Sequence, residues 1–235
     1  MAGDLVTKSA PFLRHIEGWY GELQPVSLDE LIGAAPEKVG IFCVDVLVGF
    51  CQEGSLASPR VNSIVAPIGD LFQAAYDRGV RNFVLPQDTH DQAAVEFAQY
   101  PPHCIAGTRE SETVPELLAL PFASEYTIIP KNSISSAGIG LGEWMGAHPE
   151  VETCVVVGDC TDLCTYQLAM HLRLYANEHQ LQRRVVLPEN CVQTFDIPVD
   201  VAAQIGAFAH PGDLYHYVFL YHMAHNGVEV VKELR

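Results

Sequence analysis

The sequence predicts a three-layer α/β/α sandwich around a mostly parallel, six-stranded sheet. Two observations carry this prediction. Runs such as GIFCVDVLV and TCVVVG are apolar throughout instead of alternating, the mark of strands covered on both faces. Segments with helical spacing separate these runs, as crossover connections between parallel strands require. The 235 residues, 49% hydrophobic and 18% charged, can supply the core of one such domain.

Each element follows from its local pattern. LRHIEGWYGEL and SLDELIGAA read as short helices, the second capped by Ser27 with Glu30 three residues on. Residues 1–38 are thus expected to form an N-terminal helical extension, with residues 39–235 as the main domain. GIFCVDVLV is a buried strand, and VNSIVAPIGDLFQAAYDRG is one helix ended by glycine. VRNFVLP is a strand, VPELLAL a short helix, YTIIP a strand and GLGEWMGAHP a short helix. TCVVVG is a strand, LCTYQLAMHLRLYANEH a helix and RRVVLP a strand. VDVAAQIGAFA and GDLYHYVFLYHMAHNG are helices, and VEVVKEL is the last strand.

Charge and cysteine usage narrow the function. A net charge of −16, from 13 basic and 29 acidic residues, repels nucleic acid and anionic membranes, so neither is an expected partner. No apolar run is long enough to span a bilayer, and MAGDLVTKSAPFLRHIEGWY lacks a signal-peptide pattern. Seven scattered cysteines, an odd number, suit reduced thiols. The expected location is the cytoplasm.

In a parallel sheet of this kind, ligands bind beyond the carboxyl ends of the strands. Asp45 lies in the first strand, where a carboxylate is costly unless paired; it is either a structural group or a general acid and base. Lys131 follows the third strand, where its charge can stabilise a thiolate. GDCTDLC follows the fourth and places Cys164 at a helix start, whose dipole and free N–H groups favour a thiolate and can hold an oxyanion. Cys164 is a nucleophile on this reading and an inert buried thiol on the alternative. Asp159 and Asp162 oppose the thiolate, so a cation such as Lys131 is required. Asp88 and His90, two apart in QDTHD, share a side of extended chain. With His103 after a Pro-Pro pair, and with Glu96, they make either a mixed N/O set suited to zinc, manganese or iron(II) or a group of solvated loop side chains. His210, His216, His222 and His225 read as surface or interface residues. Cys43, Cys51, Cys104, Cys154 and Cys191 read as packing.

From about Val39 onward the chain resembles the isochorismatase-like cysteine hydrolases, and within them the nicotinamidases. VDVLVGFCQEGSL is similar to the first-strand motif, IIPKNSISS to the lysine motif and GDCTDLCT to the nucleophile turn, while QDTHD with PPHCIAGT is similar to the metal site. The resemblance implies a Rossmann-like fold and a catalytic set of Asp45, Lys131 and Cys164. It implies an oxyanion hole at Cys160 and Cys164, with a cis peptide at Cys160. Asp88, His90 and His103 are the implied ligands of a divalent metal, zinc first, joined by Glu96 in some members. Phe50 and Leu56 match positions lining the substrate pocket. The implied partners are a small-molecule amide and further copies of the chain in a homodimer or homotetramer. Leu47, Gly49 and Thr89 depart from common family residues, which leaves the amide itself open. The same scaffold could act on another amide, a carbamoyl compound or an enol ether. A thiol redox protein using Cys160 and Cys164, or a non-catalytic metal-binding protein, are the readings from other classes.

Overall fold

The computed structural model describes residues 4–235; residues 1–3 of the expected extension lie outside the described residues. The elements run α1 (Leu5–Gly21), α2 (Leu28–Ile32), β1 (Val39–Val44), α3 (Val48–Cys51), α4 (Pro59–Asn62), α5 (Val65–Asp77) and β2 (Asn82–Asp88). They continue with α6 (Pro115–Leu118), β3 (Thr127–Lys131), α7 (Ile139–Ala147), β4 (Thr153–Asp159), α8 (Cys164–Glu178) and β5 (Arg184–Pro188). The last are β6 (Val192–Gln193), α9 (Val199–Ile205), α10 (Gly212–His225) and β7 (Glu229–Val231).

Six parallel strands cross the sheet in the order β3-β2-β1-β4-β5-β7, and two-residue β6 pairs with β4 off this path. These six are the six expected runs. β1 and β4 are buried along their whole length, which is why their residues read as continuous apolar stretches. One apolar layer packs Leu28, Leu31, Ile68 and Phe72 against Ile41 and Val155. The other packs Leu141, Leu168, Leu172 and Leu220 against Phe42 and Val156.

Two helices differ from expectation. The single helix expected over VNSIVAPIGDLFQAAYDRG is two, α4 and α5. Pro67 has no N–H to give Ser63; restarting the helix at Val65 puts the proline in a first turn, where that donor is not needed. α1 begins before the expected Leu13 and contains Pro11; the bond lost there falls on an exposed turn. α1 packs on α10, with Trp19 edge-on to Tyr221 and Tyr20 stacked on Tyr217. Ser27 Oγ accepts the Glu30 N–H at 3.3 Å, the expected cap of α2. No helix among the described residues is long and apolar enough to cross a membrane.

Candidate active site

From β1 the chain turns to β2 and β3 on one side, then returns to place β4 on the other. The carboxyl end of the β1–β4 pair is therefore the switch point where such sheets form a ligand crevice. Four adjacent strands deliver Lys131, Asp88, Asp45 and the Asp159–Cys164 turn there. Asp88 and Lys131 are register partners on β2 and β3, and Val44 and Gly158 on β1 and β4.

Asp45 is fully buried, with φ 59°, in the left-handed region. Its Oδ1 accepts the Asp88 N–H at 2.8 Å, and its Oδ2 lies 2.7 Å from Lys131 Nζ. Lys131 is buried too. Its ammonium also reaches Asp88 Oδ1 at 2.5 Å, the Ser133 carbonyl at 3.1 Å and Cys164 Sγ at 3.6 Å. The nearest polar atoms of Asp45, Asp88 and Cys164 lie within 4.8 Å of one another, and the cation among them is this lysine.

The electrostatics correct one expectation. Burial pushes the Cys164 thiol well above its ordinary value; Lys131 pulls it down, while Asp45 and Asp88 push it up. Two carboxylates claim the one ammonium, which favours proton transfer to Asp45 during attack over a standing thiolate. Burial and the Asp88 charge raise Asp45 to about 6 against the pull of Lys131. Asp88 lies well below the usual carboxylate range: burial is outweighed by the neighbouring His103 and His90 rings and by the Lys131 charge. Asp159, buried beside them, is raised well above it, by burial first and then by Asp45.

The nucleophile turn carries a cis peptide between Asp159 and Cys160. The backbone N–H groups of Cys160 and Cys164 have no backbone acceptor among the described residues. Cys164 opens α8, whose cap supplies no side-chain acceptor. Gly158 has φ +115°, and a Cβ there would lie 2.0 Å from the Val44 carbonyl oxygen. β4 thus approaches β1 more closely than any side chain permits. All seven cysteines are free and buried, in keeping with packing for the five outside this turn.

Asp88, His90 and His103 offer donor atoms within 4.8 Å of one another. Asp88 Oδ2 is 3.5 Å from His90 Nε2 and 3.8 Å from His103 Nε2. The opposite nitrogens are fixed: His90 Nδ1–H donates to Asn132 Oδ1 at 2.9 Å and His103 Nδ1–H to the Pro101 carbonyl at 2.8 Å. Each ring thereby points its free Nε2 at Asp88, the tautomer a metal ligand needs. His90 Nε2 is buried without a hydrogen-bond partner, so the set fits a divalent ion. Glu96 stands at its edge: Oε1 is 4.0 Å from His90 Nε2, and Oε2 accepts the Ile134 N–H at 3.1 Å.

These groups open on a cavity of about 260 Å³. Phe50 and Leu56 line it, as do Tyr100, Leu163, Phe195 and Ile197, which the sequence reading missed. Tyr100 and Leu163 come from separate loops, and Phe195 and Ile197 from a third, between β6 and α9. Asn132, also missed, stood next to Lys131 in PKNS, where a strand-end amide is itself a signal. Two of the four C-terminal histidines are buried, contrary to expectation. His210 Nε2 lies 2.8 Å from Asp162 Oδ2, and its ring stacks on Phe195. His216 Nδ1 lies 2.8 Å from Thr161 Oγ1, bracing the nucleophile turn from α10.

Residues 39–217 match the model of the isochorismatase domain. Nicotinamidase 1 of Arabidopsis thaliana is 34% identical over 231 residues, covering 89% of this chain and 92% of the relative. The solved nicotinamidase PncA of Bacillus subtilis is 24% identical with TM-score 0.62, over 83% of this chain and 99% of that one. The zinc complex of the Pyrococcus horikoshii pyrazinamidase is 20% identical with TM-score 0.63, over the same shares. A family match across most of the chain, on a sheet whose strand ends gather the aspartate, lysine and cysteine, leads to one conclusion: this chain belongs to the isochorismatase domain family.

Proposed function

We propose that the protein is a nicotinamidase-type hydrolase, converting nicotinamide and water into nicotinic acid and ammonia through a thioester on Cys164. One observation carries the reading: the Lys131 ammonium sits 2.7 Å from Asp45 Oδ2 and 3.6 Å from Cys164 Sγ, beside a cavity sized for a single-ring molecule. The relationship to Nicotinamidase 1 supports the amide and its C–N bond as the point of attack.

Asp45 takes the Cys164 proton as the sulfur attacks the amide carbon. The oxyanion accepts from the N–H groups of Cys160 and Cys164, each such donor contributing about 3 kcal/mol. Collapse breaks the C–N bond, Asp45 protonates the departing nitrogen, and ammonia leaves a thioester. Asp45 then deprotonates a water that adds to the thioester carbonyl; the second collapse releases the acid and returns the proton to sulfur. Lys131 holds its charge throughout and balances Asp45 when it is ionised. Phe50 and Leu56 supply apolar walls for the ring. Asp88, His90 and His103 would hold the divalent ion, zinc first, with Glu96 at the margin. When bound, the ion supplies a Lewis-acidic anchor for a substrate lone pair. Residues 1–38 are an extension to this hydrolase body, packed on it over the described residues from 4 onward, a division supported by the start of the family match at Val39.

Purified, metal-loaded protein is expected to release ammonia from nicotinamide, and Cys164→Ala to abolish it. Full activity in that variant refutes the covalent route. Faster turnover of a carbamoyl compound or another amide in a substrate panel replaces the substrate while keeping the site.

A further inference from the structure

We propose that the arginine pocket at the C-terminal end of α8 binds a phosphate-type oxyanion. Among the described residues, every lysine and arginine except Lys8, Arg14, Arg173 and Arg183 lies within 4.0 Å of a carboxylate. Lys8 and Arg14 are exposed on α1, where water solvates them. Arg173 and Arg183 instead share one depression of about 450 Å³ with Arg184, Asn177, Gln180 and Gln182.

Arg183 is only 8% exposed, yet its guanidinium has no carboxylate partner, and its Nε is buried without an acceptor. Arg173 Nε is in the same condition. A buried charge with no counter-charge is costly. This chain has 29 acidic residues to draw on, and none lines the depression. Glu229 binds Arg184 from the β7 side through two bonds, at 3.0 and 2.7 Å.

A structural explanation covers only part of this. Cations are favoured at a helix C-terminus, and Arg173 donates to the Arg183 carbonyl. That accounts for Arg173, but the Arg183 side chain donates to none of the α8 carbonyls. Two planar guanidinium forks with flanking amides are the donor set that a tetrahedral oxyanion satisfies. The depression is open on its outer side, so the oxyanion can carry an organic substituent. It is also a separate place: α8 starts with Cys164, and its 15 residues put the pocket at the other end of about 22 Å of helix.

The test titrates inorganic phosphate, and separately AMP, into the full-length protein at constant ionic strength. Calorimetry reads binding and scanning fluorimetry reads Tm. The expected result is saturable binding with a rise in Tm, unchanged in Cys164→Ala and weakened at least about tenfold in Arg173→Gln and in Arg183→Gln. Arg173 is half-exposed, so its variant keeps the test decisive should Arg183→Gln fold poorly. Tighter binding of AMP assigns an organic phosphoester, and equal binding assigns the free anion. Absence of saturable binding by either probe, binding that survives both substitutions, or binding lost in Cys164→Ala overturns the proposal.

Discussion

Single residues carry the chemistry, and their charge states decide how it runs. Asp45, Lys131 and Cys164 were legible because each ends an apolar strand or opens the helix after one. Their protonation was not, because it depends on which groups compete for the lysine, and Asp88 supplies a second claimant that sequence alone cannot position. In the proposed mechanism the ionised Asp45 is the base that takes the Cys164 proton. Its raised value, about 6, means the base is present above that pH and lost below it. kcat/KM is therefore expected to fall on the acid side as Asp45 takes up its proton, and a divalent ion on Asp88, by offsetting that carboxylate's charge, to move the midpoint below 6, read from pH–rate profiles with and without metal. In that mechanism Cys160 contributes its backbone N–H, and its buried thiol takes part in no step. Cys160→Ala is expected to keep kcat within about fivefold, well short of the loss caused by removing one oxyanion donor. Equal damage from Cys160→Ala and Cys164→Ala, with a reversible disulfide in the parent, would restore the thiol-redox alternative.

At the scale of elements, α8 and α10 place the nucleophile turn, and the contacts between them were the least legible part. The six long strands could be read because their burial makes them apolar along their length. The pairing of His216 with Thr161 joins residues 55 positions apart, and no local pattern announces it. Beneath that pair, Glu189 accepts from Tyr20 of α1 and binds Lys232 at 2.6 Å. Burial alone would raise Glu189, but the nearby His216 ring and bonds from Lys232 and Tyr20 overcome it and hold the carboxyl at about 2, below the ordinary 4.5. A depressed carboxyl adds stability above its unfolded value and loses it as pH falls through the folded one. The loss therefore falls between pH 4.5 and about 2 and amounts to at most about 3 kcal/mol. Glu189→Gln is expected to lower Tm at pH 7 and to flatten its dependence on pH in that window, measured by calorimetry.

For the whole molecule, the N-terminal segment closes the face of α10 and reaches the far edge of the sheet. Val26 bridges Leu234, and Val26 N–H donates to the Glu233 carbonyl at 2.9 Å. Removing residues 1–25 would uncover Tyr217 and Tyr221 and leave Glu189 short of one donor. The truncated protein is expected to lose several degrees of Tm while kcat stays within a few-fold, since none of these residues lines the cavity. A large loss of kcat in a folded truncation would instead give the segment a part in the site. The architecture was legible from hydrophobic patterning, whereas the cavity walls were not, because they converge from loops that no periodicity links. The contact at Gly158 divides floor from walls in a further sense. The floor of the site is two backbones touching, with no room for even a methyl group between them, so it offers mutation nothing to vary. The walls at Leu56, Tyr100, Phe195 and Ile197 rest on loops that can exchange one side chain for another. A laboratory library aimed at substrate range is thereby expected to find its tolerated variants in the loops and none at Gly158.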